Sequence, residues 1–172
     1  MKTKNLEKVF RAFGDKTVQT ARGILNAKGK NTSGKLADSL GYHLKVYESG
    51  ALEMQFLGAG YAKFVDEGVS GTKKKYNTPF GFQPSSKIAN IGAIDKWAVR
   101  KGLSGTRDKK GRFIKRKSLV FLIARSIKLY GIEPTHFFSD ALNEGLKALP
   151  PEIARAYAKD ASKFLERVTQ EI

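Results

Sequence analysis

The chain has 172 residues, 41% of them hydrophobic, and sets 32 Lys and Arg against 16 Asp and Glu for a formal charge of +16 and a pI near 10.0. That length and apolar content fit one domain over 1–172, and a charge of that size points to a polyanion or an acidic protein as partner without fixing the fold. The lack of cysteine excludes disulfides and thiolate chemistry, and His43 and His136 lie too far apart in sequence to suggest a zinc site.

The densest apolar run, 119–124, is far too short to span a bilayer, and the charged N-terminus has no apolar run behind it. A protein made in a cytoplasm, with no membrane partner, is the expectation.

From Asn5, the residues Leu6, Val9, Phe10, Phe13, Val18, Ala21, Ile24 and Leu25 recur near helical spacing, which predicts a long amphipathic helix to about Ala27. Gly14 and Gly23 each weaken it by about 1 kcal/mol relative to alanine, so packing must hold it. The polar loop 28–34 has glycines, lysines and hydroxyls but not the G-x-x-x-x-G-K-[ST] order of a phosphate-binding loop. Leu40, Tyr42, Leu44 and Val46, then Leu52, Met54 and Phe56, alternate with polar residues around Ser49-Gly50, the pattern of a hairpin with one face on the long helix. His43 falls on the other face, as a surface residue.

Tyr61, Phe64 and Val65 share a face of a short helix, expected to be buried, with Asp66 and Glu67 off that face and Gly68 as a left-handed cap. A long exposed, flexible loop should follow over about 69–82, carrying Lys73, Lys74, Lys75 and Tyr76. Asp66 and Glu67 are adjacent acids that invite a metal-dependent nuclease reading, but neighbouring residues diverge on a helix and no His or Cys lies beside them. Ser85 or Ser86 reads as the cap of a helix carrying Ile88, Ile91, Ile94, Trp97 and Ala98, with Trp97 as an anchor.

The most basic stretch is 100–117, where Arg107, Lys109, Lys110, Arg112, Lys115, Arg116 and Lys117 face one acid, Asp108, and Gly105 and Gly111 suggest flexibility, with a ribbon around 109–112. It suits phosphates, and reads equally as a solvated loop or an arm against an acidic face of a neighbouring subunit, and it holds no base-reading motif. Ser118 should then cap a helix that is apolar around much of its circumference and stops at Gly131. A further helix carries Phe137, Phe138, Ala141, Leu142 and Leu146, and Pro150-Pro151 should break it before a last helix with Ile153, Tyr157, Ala161, Phe164, Leu165, Val168 and Ile172. The fold class is therefore α+β: a long N-terminal helix packed on a small antiparallel sheet or hairpin, then three or four further helices and long loops. No catalytic triad, metal cluster or cofactor fingerprint assembles, so no enzyme, metal or cofactor is expected.

Tyr61-Ala62-Lys63-Phe64-Val65-Asp66-Glu67-Gly68 resembles the Y-A-x-[FY]-V-E-x-G signature of the minor tail, neck and tail-completion proteins of tailed bacteriophages. Pro134-Thr135-His136-Phe137-Phe138-Ser139-Asp140-Ala141 is similar to the P-x-x-F-[FL]-x-x-A segment that opens the family's last helical part. The resemblance covers roughly 4–69 and 118–172 and departs between them. It implies that 34–40 leads into the first strand, and that the chain is a virion protein forming a homo-oligomeric ring as a head–tail joining, tail-completion or tail-terminator component. Neighbouring portal, adaptor or tail-tube proteins are the implied partners, with packaged DNA in the lumen as a further one. Tyr61, Phe64, Val65, Asp66, Glu67, Lys73, Lys74, Lys75 and Tyr76 are the interface candidates, and the basic residues of 107–117 the DNA or partner contacts. The alternative from another class is a DNA- or RNA-binding protein, without sequence preference, using that basic segment.

Overall fold

A computed structural model of the chain describes residues 3–103 and 107–170, the side chains of 167–170 excepted. Gly105, Ile172 and the side chain of Val168, which figure in the sequence reading, lie outside the described residues. The elements are α1 (Lys4–Ala27), α2 (Lys35–Ser39), β1 (Gly41–Val46), β2 (Leu52–Leu57), α3 (Ala62–Asp66), α4 (Ile91–Arg100), α5 (Arg116–Tyr130) and α6 (Phe137–Gln170). The α+β expectation holds: the long first helix packs on a two-stranded antiparallel sheet, and four helices follow it. The backbone groups into two compact units, Met1–Ala27 with Lys35–Ala59 and Phe137–Ile172, and Lys28–Gly34 with Gly60–His136.

In the first unit α1 buries Phe13, Thr17, Val18, Ala21 and Leu25, one stripe at helical spacing. The hairpin pairs Tyr42 with Phe56, Leu44 with Met54 and Val46 with Leu52, so the apolar set shares one face and His43, Lys45, Glu53 and Gln55 the exposed one. Its turn is a three-residue loop: Gly50 N–H donates to Tyr47 O at 2.9 Å and Gly50 takes φ +86°, where glycine is favoured. Phe56 centres an aromatic cluster, with ring centroids 6.1 Å from Phe13, 6.4 Å from Tyr42 and 5.2 Å from Phe138. Arg22 donates to Ala37 O and Leu40 O, tying α1 to the carbonyls that end α2.

The two glycines of α1 have different standing. A Cβ on Gly14 would lie 2.8 Å from the Tyr42 ring, whereas one on Gly23 would meet nothing within 4 Å. Gly23→Ala is therefore expected to stabilise the protein by up to about 1 kcal/mol, and Gly14→Ala to destabilise it by about 1–3 kcal/mol, as read from urea midpoints. Equal effects of the two substitutions would remove close packing on Tyr42 as the reason for glycine at position 14.

The helix expected to break at Pro150-Pro151 runs through them for 34 residues. Phe137, Ala141, Gly145, Leu149, Ala156 and Asp160 are buried in one stripe that crosses the proline pair, while Pro150 and Pro151 are exposed. Two lost backbone bonds at about 3 kcal/mol each are offset by that continuous burial, since α6 makes its most extensive contacts with α1. The stripe is also not the one the sequence offered, because Tyr157, Phe164 and Leu165 are exposed.

In the second unit α4 starts later than Ser85 or Ser86 imply. Asn90 is its cap, accepting from Ala93 N–H at 3.1 Å, while Ser86 Oγ accepts from Gln83 N–H in a preceding turn. Trp97 is 39% exposed; the core of this unit is Ile94, Val120 and Ala124, flanked by Ile88, Ala89, Ile123 and Ile127. Likewise α5 begins at Arg116 with Lys115 rather than Ser118 in the cap position, and it buries one narrow stripe while Phe121 and Leu122 are about half exposed. Gly131 does end it, at φ +77°.

Candidate interface

The two stretches that carry the family resemblance meet. Helix α3 is one turn long, so its last carbonyls have no partner within it. Thr135 N–H donates to Val65 O and Asp66 O at 3.1 and 3.0 Å, Thr135 Oγ1 to Val65 O at 2.7 Å, and His136 N–H to Asp66 O at 2.9 Å. Thr135 is 2% exposed, and Lys28 Nζ donates to its carbonyl. His136 takes φ +50°, the one non-glycine residue in the left-handed region among the described residues, which turns the chain from this junction into α6.

Beyond Gly68, at φ +77° as expected of the cap, Val69 and Ile132 exchange both N–H···O bonds at 2.8 Å. The segment 69–82, expected to be an exposed loop, contains no helix or strand but is tied inward. Ser70 is 6% exposed; its N–H donates to Phe80 O, its carbonyl accepts from Phe82 N–H, and its Oγ bonds both backbone groups of Tyr76. Thr72 N–H donates to Lys128 O and Lys73 N–H to Leu129 O, which satisfies two of the carbonyls left over at the end of α5. The loop places cations at that negative helix end, with Lys74 Nζ 4.8 Å above the Tyr76 ring.

The interface candidates separate by burial. Lys73, Lys74 and Lys75 are exposed, Tyr61 is 46% and Phe64 42% exposed, and Val65, Glu67 and Tyr76 are half-buried. The expectation that Tyr61, Phe64 and Val65 form a buried face with the acids outside is reversed at its key position: Asp66 is 7% exposed. The reason is the junction with Thr135 and His136, which covers the C-terminal end of α3, while Phe64 is left to stack edge-on against Phe80 at 4.5 Å.

In the basic segment, Arg107 and Phe113 form an antiparallel bridge around the turn at 108–111, the ribbon the sequence suggests. Asp108 organises it: Arg112 N–H, Lys110 N–H and Arg112 Nε all donate to its carboxylate at 2.9 Å, holding it below the ordinary carboxylate range. Arg107 donates to Gly111 O and lies 4.0 Å over the ring of Phe113, which is 66% exposed. Arg116 makes a two-pronged pair with Asp95 at 2.6 Å, and the hydrogen bond lowers the Asp95 pKa. Among the described residues, Lys109, Lys110, Lys115 and Lys117 have no side-chain partner.

Sequence reasoning missed Ser70 and Thr135, the two buried hydroxyls that hold these segments. Their signal was faint: a hydroxyl two residues after a cap glycine, and one directly after a proline. Among the described residues no group of three or more His, Cys, Asp or Glu is placed to hold a metal. No helix among them is long and apolar enough to cross a membrane. Comparisons with protein families, with curated proteins and with solved structures return no match for this chain.

Proposed function

We propose that the chain is a structural virion protein of a tailed phage, a ring-forming component of the head–tail junction, the tail completion or the tail terminus. The observation that carries the reading is the hydrogen-bonded junction of its two signature stretches, Val65 and Asp66 with Thr135 and His136. Residues that resemble a family's signature in two distant places serve one local structure, which gives the spacing of both a common physical cause. The same junction holds Tyr61 and Phe64 half exposed, aromatic residues of the kind enriched in protein interfaces, and fastens the loop bearing Lys73, Lys74 and Lys75 beside them. A ring arises when such a contact between unlike faces closes on itself.

A second reading rests on the unpartnered Lys109, Lys110, Lys115 and Lys117, which are placed to lie along phosphates without reading sequence. Light scattering at low and high salt, with and without a short DNA duplex, separates the two. The ring reading expects a ring-sized mass that persists or grows as salt screens the repulsion of +16 chains, with or without DNA. Tight binding of duplex by a monomer, falling steeply with salt and losing about 0.9 of log–log slope for each lysine replaced by alanine, would replace it with the nucleic-acid reading.

A further inference from the structure

The β1–β2 hairpin is a sheet of two strands, so each strand has one neighbour and one open side. The turn fixes which groups are open. Tyr47 N–H donates to Ala51 O at 2.9 Å, which makes that pair hydrogen-bonded, and bonded and non-bonded pairs alternate along an antiparallel ladder. The register then turns the N–H and C=O of Tyr42, Leu44 and Val46 outward from β1, and those of Leu52, Met54 and Phe56 outward from β2. Among the described residues none of these groups has a protein partner. Neither strand carries a proline to blunt its edge, and each is six residues long, enough to template another strand.

Charge selects the occupant. On the exposed face β1 presents His43 and Lys45, and β2 presents Glu53 and Gln55. At fullest overlap, two β1 edges meeting would set Lys45 opposite His43, and two β2 edges Glu53 opposite Gln55, so neither like meeting gains an opposite-charge pair. An unlike meeting sets Lys45 of one copy beside Glu53 of the next, the same pair that faces within each hairpin.

We infer that β1 of one copy pairs antiparallel with β2 of a second copy, joining hairpins edge to edge into one continuous sheet. The contact is between unlike faces and so propagates around a ring. It rests on the ring reading and assigns that ring its seam.

The chain has no cysteine, so single thiols report the seam cleanly. Lys45→Cys and Glu53→Cys chains, each otherwise unchanged, are mixed under a mild oxidant and resolved on a non-reducing gel. Exposed-face residues of the new ladder fall in its non-hydrogen-bonded pairs, where side chains approach most closely. The mixed 45–53 crosslink is expected to exceed either like crosslink by about fivefold. Adding Val46→Pro to the Lys45→Cys chain removes an outward N–H that the hairpin itself does not use, and is expected to abolish the mixed crosslink. Leu52→Pro in the Glu53→Cys chain tests the opposite edge in the same way. Dominant like crosslinks, or a mixed crosslink undiminished by both prolines, overturn the seam. A ring-sized mass with no crosslink overturns the seam and leaves the ring; crosslinks without a closed species leave the seam and overturn the ring.

Discussion

Replacing Gly131 by alanine is expected to cost about 4 kcal/mol or more and to lower the unfolding midpoint by about 10 °C. Gly131 holds φ +77° and ψ −164°, a region open to glycine and nearly closed to every residue with a Cβ. Space compounds the strain: a Cβ there would overlap Val69 O and lie 2.6 Å from Gly71 N. Those are backbone atoms, and Val69 is bonded to Ile132 in both directions, so relief means parting 69–74 from the end of α5. Gly111→Ala is the control, since Gly111 has φ +78° with nothing within 4 Å of a built Cβ and should lose only about 1 kcal/mol. Hydrogen exchange at Thr72 and Lys73 should accelerate in the Gly131 variant alone. Equal losses for the two alanines would mean that strain, and not the crossing of two backbones, governs the site.

Asp160→Ala is expected to cost about 2–3 kcal/mol. Asp160 is 3% exposed on α6, and its carboxylate accepts from Asn5 N–H, Asn5 Nδ2 and Leu6 N–H at 2.8–3.2 Å. A residue 155 positions away thus performs the capping that α1 lacks locally, with a negative charge at the positive end of the helix. Burial pushes the carboxyl pKa up, but the hydrogen bonds from Leu6 and Asn5, helped by the charge of Lys163, outweigh it and hold the pKa below the ordinary carboxylate value. The sign follows: a depressed folded pKa gives stability that is present above the unfolded carboxylate pKa and is lost as pH falls through the folded one. Asp160→Asn should therefore flatten the acid limb of the stability curve while keeping some of the capping. An acid limb as steep as that of the parent chain would show that Asp160 is not the group being titrated.

What the sequence makes legible is what is local. The extent of α1, the faces and turn of the hairpin, the left-handed cap at Gly68 and the helix stop at Gly131 follow from apolar period and turn chemistry within a few residues of each feature. The errors share a cause, because each was decided by a distant partner. Proline alone argues for a break at 150–151, and only the continuous surface of α1 carries the helix across it. Asp66 reads as a solvent acid until Thr135 and His136 cover the end of α3. Ser85, Ser86 and Ser118 are all plausible caps by residue type, and the helices begin elsewhere because Ile94, Val120 and Ala124 set where α4 and α5 must lie. The candidate surface was legible as charge, but the sorting of its cations into those held by Asp95, Asp108 or Phe113 and those left without partners depends on geometry that charge does not encode.

The division of the chain also sets an order of events during synthesis. The unit that contains α3, α4 and α5 is nearly contiguous, whereas the other waits for α6 to cover the apolar stripe of α1. At about 5–20 residues per second, α1 and the open-edged hairpin spend roughly 5–20 s on the ribosome before α6 begins to appear. During that interval Phe13, Val18 and Leu25 lack the surface that will bury them, and neighbouring nascent chains on one message carry the same unpaired edges. The strong positive charge of the chain would then act as mutual repulsion, keeping half-made copies apart until each can close on itself.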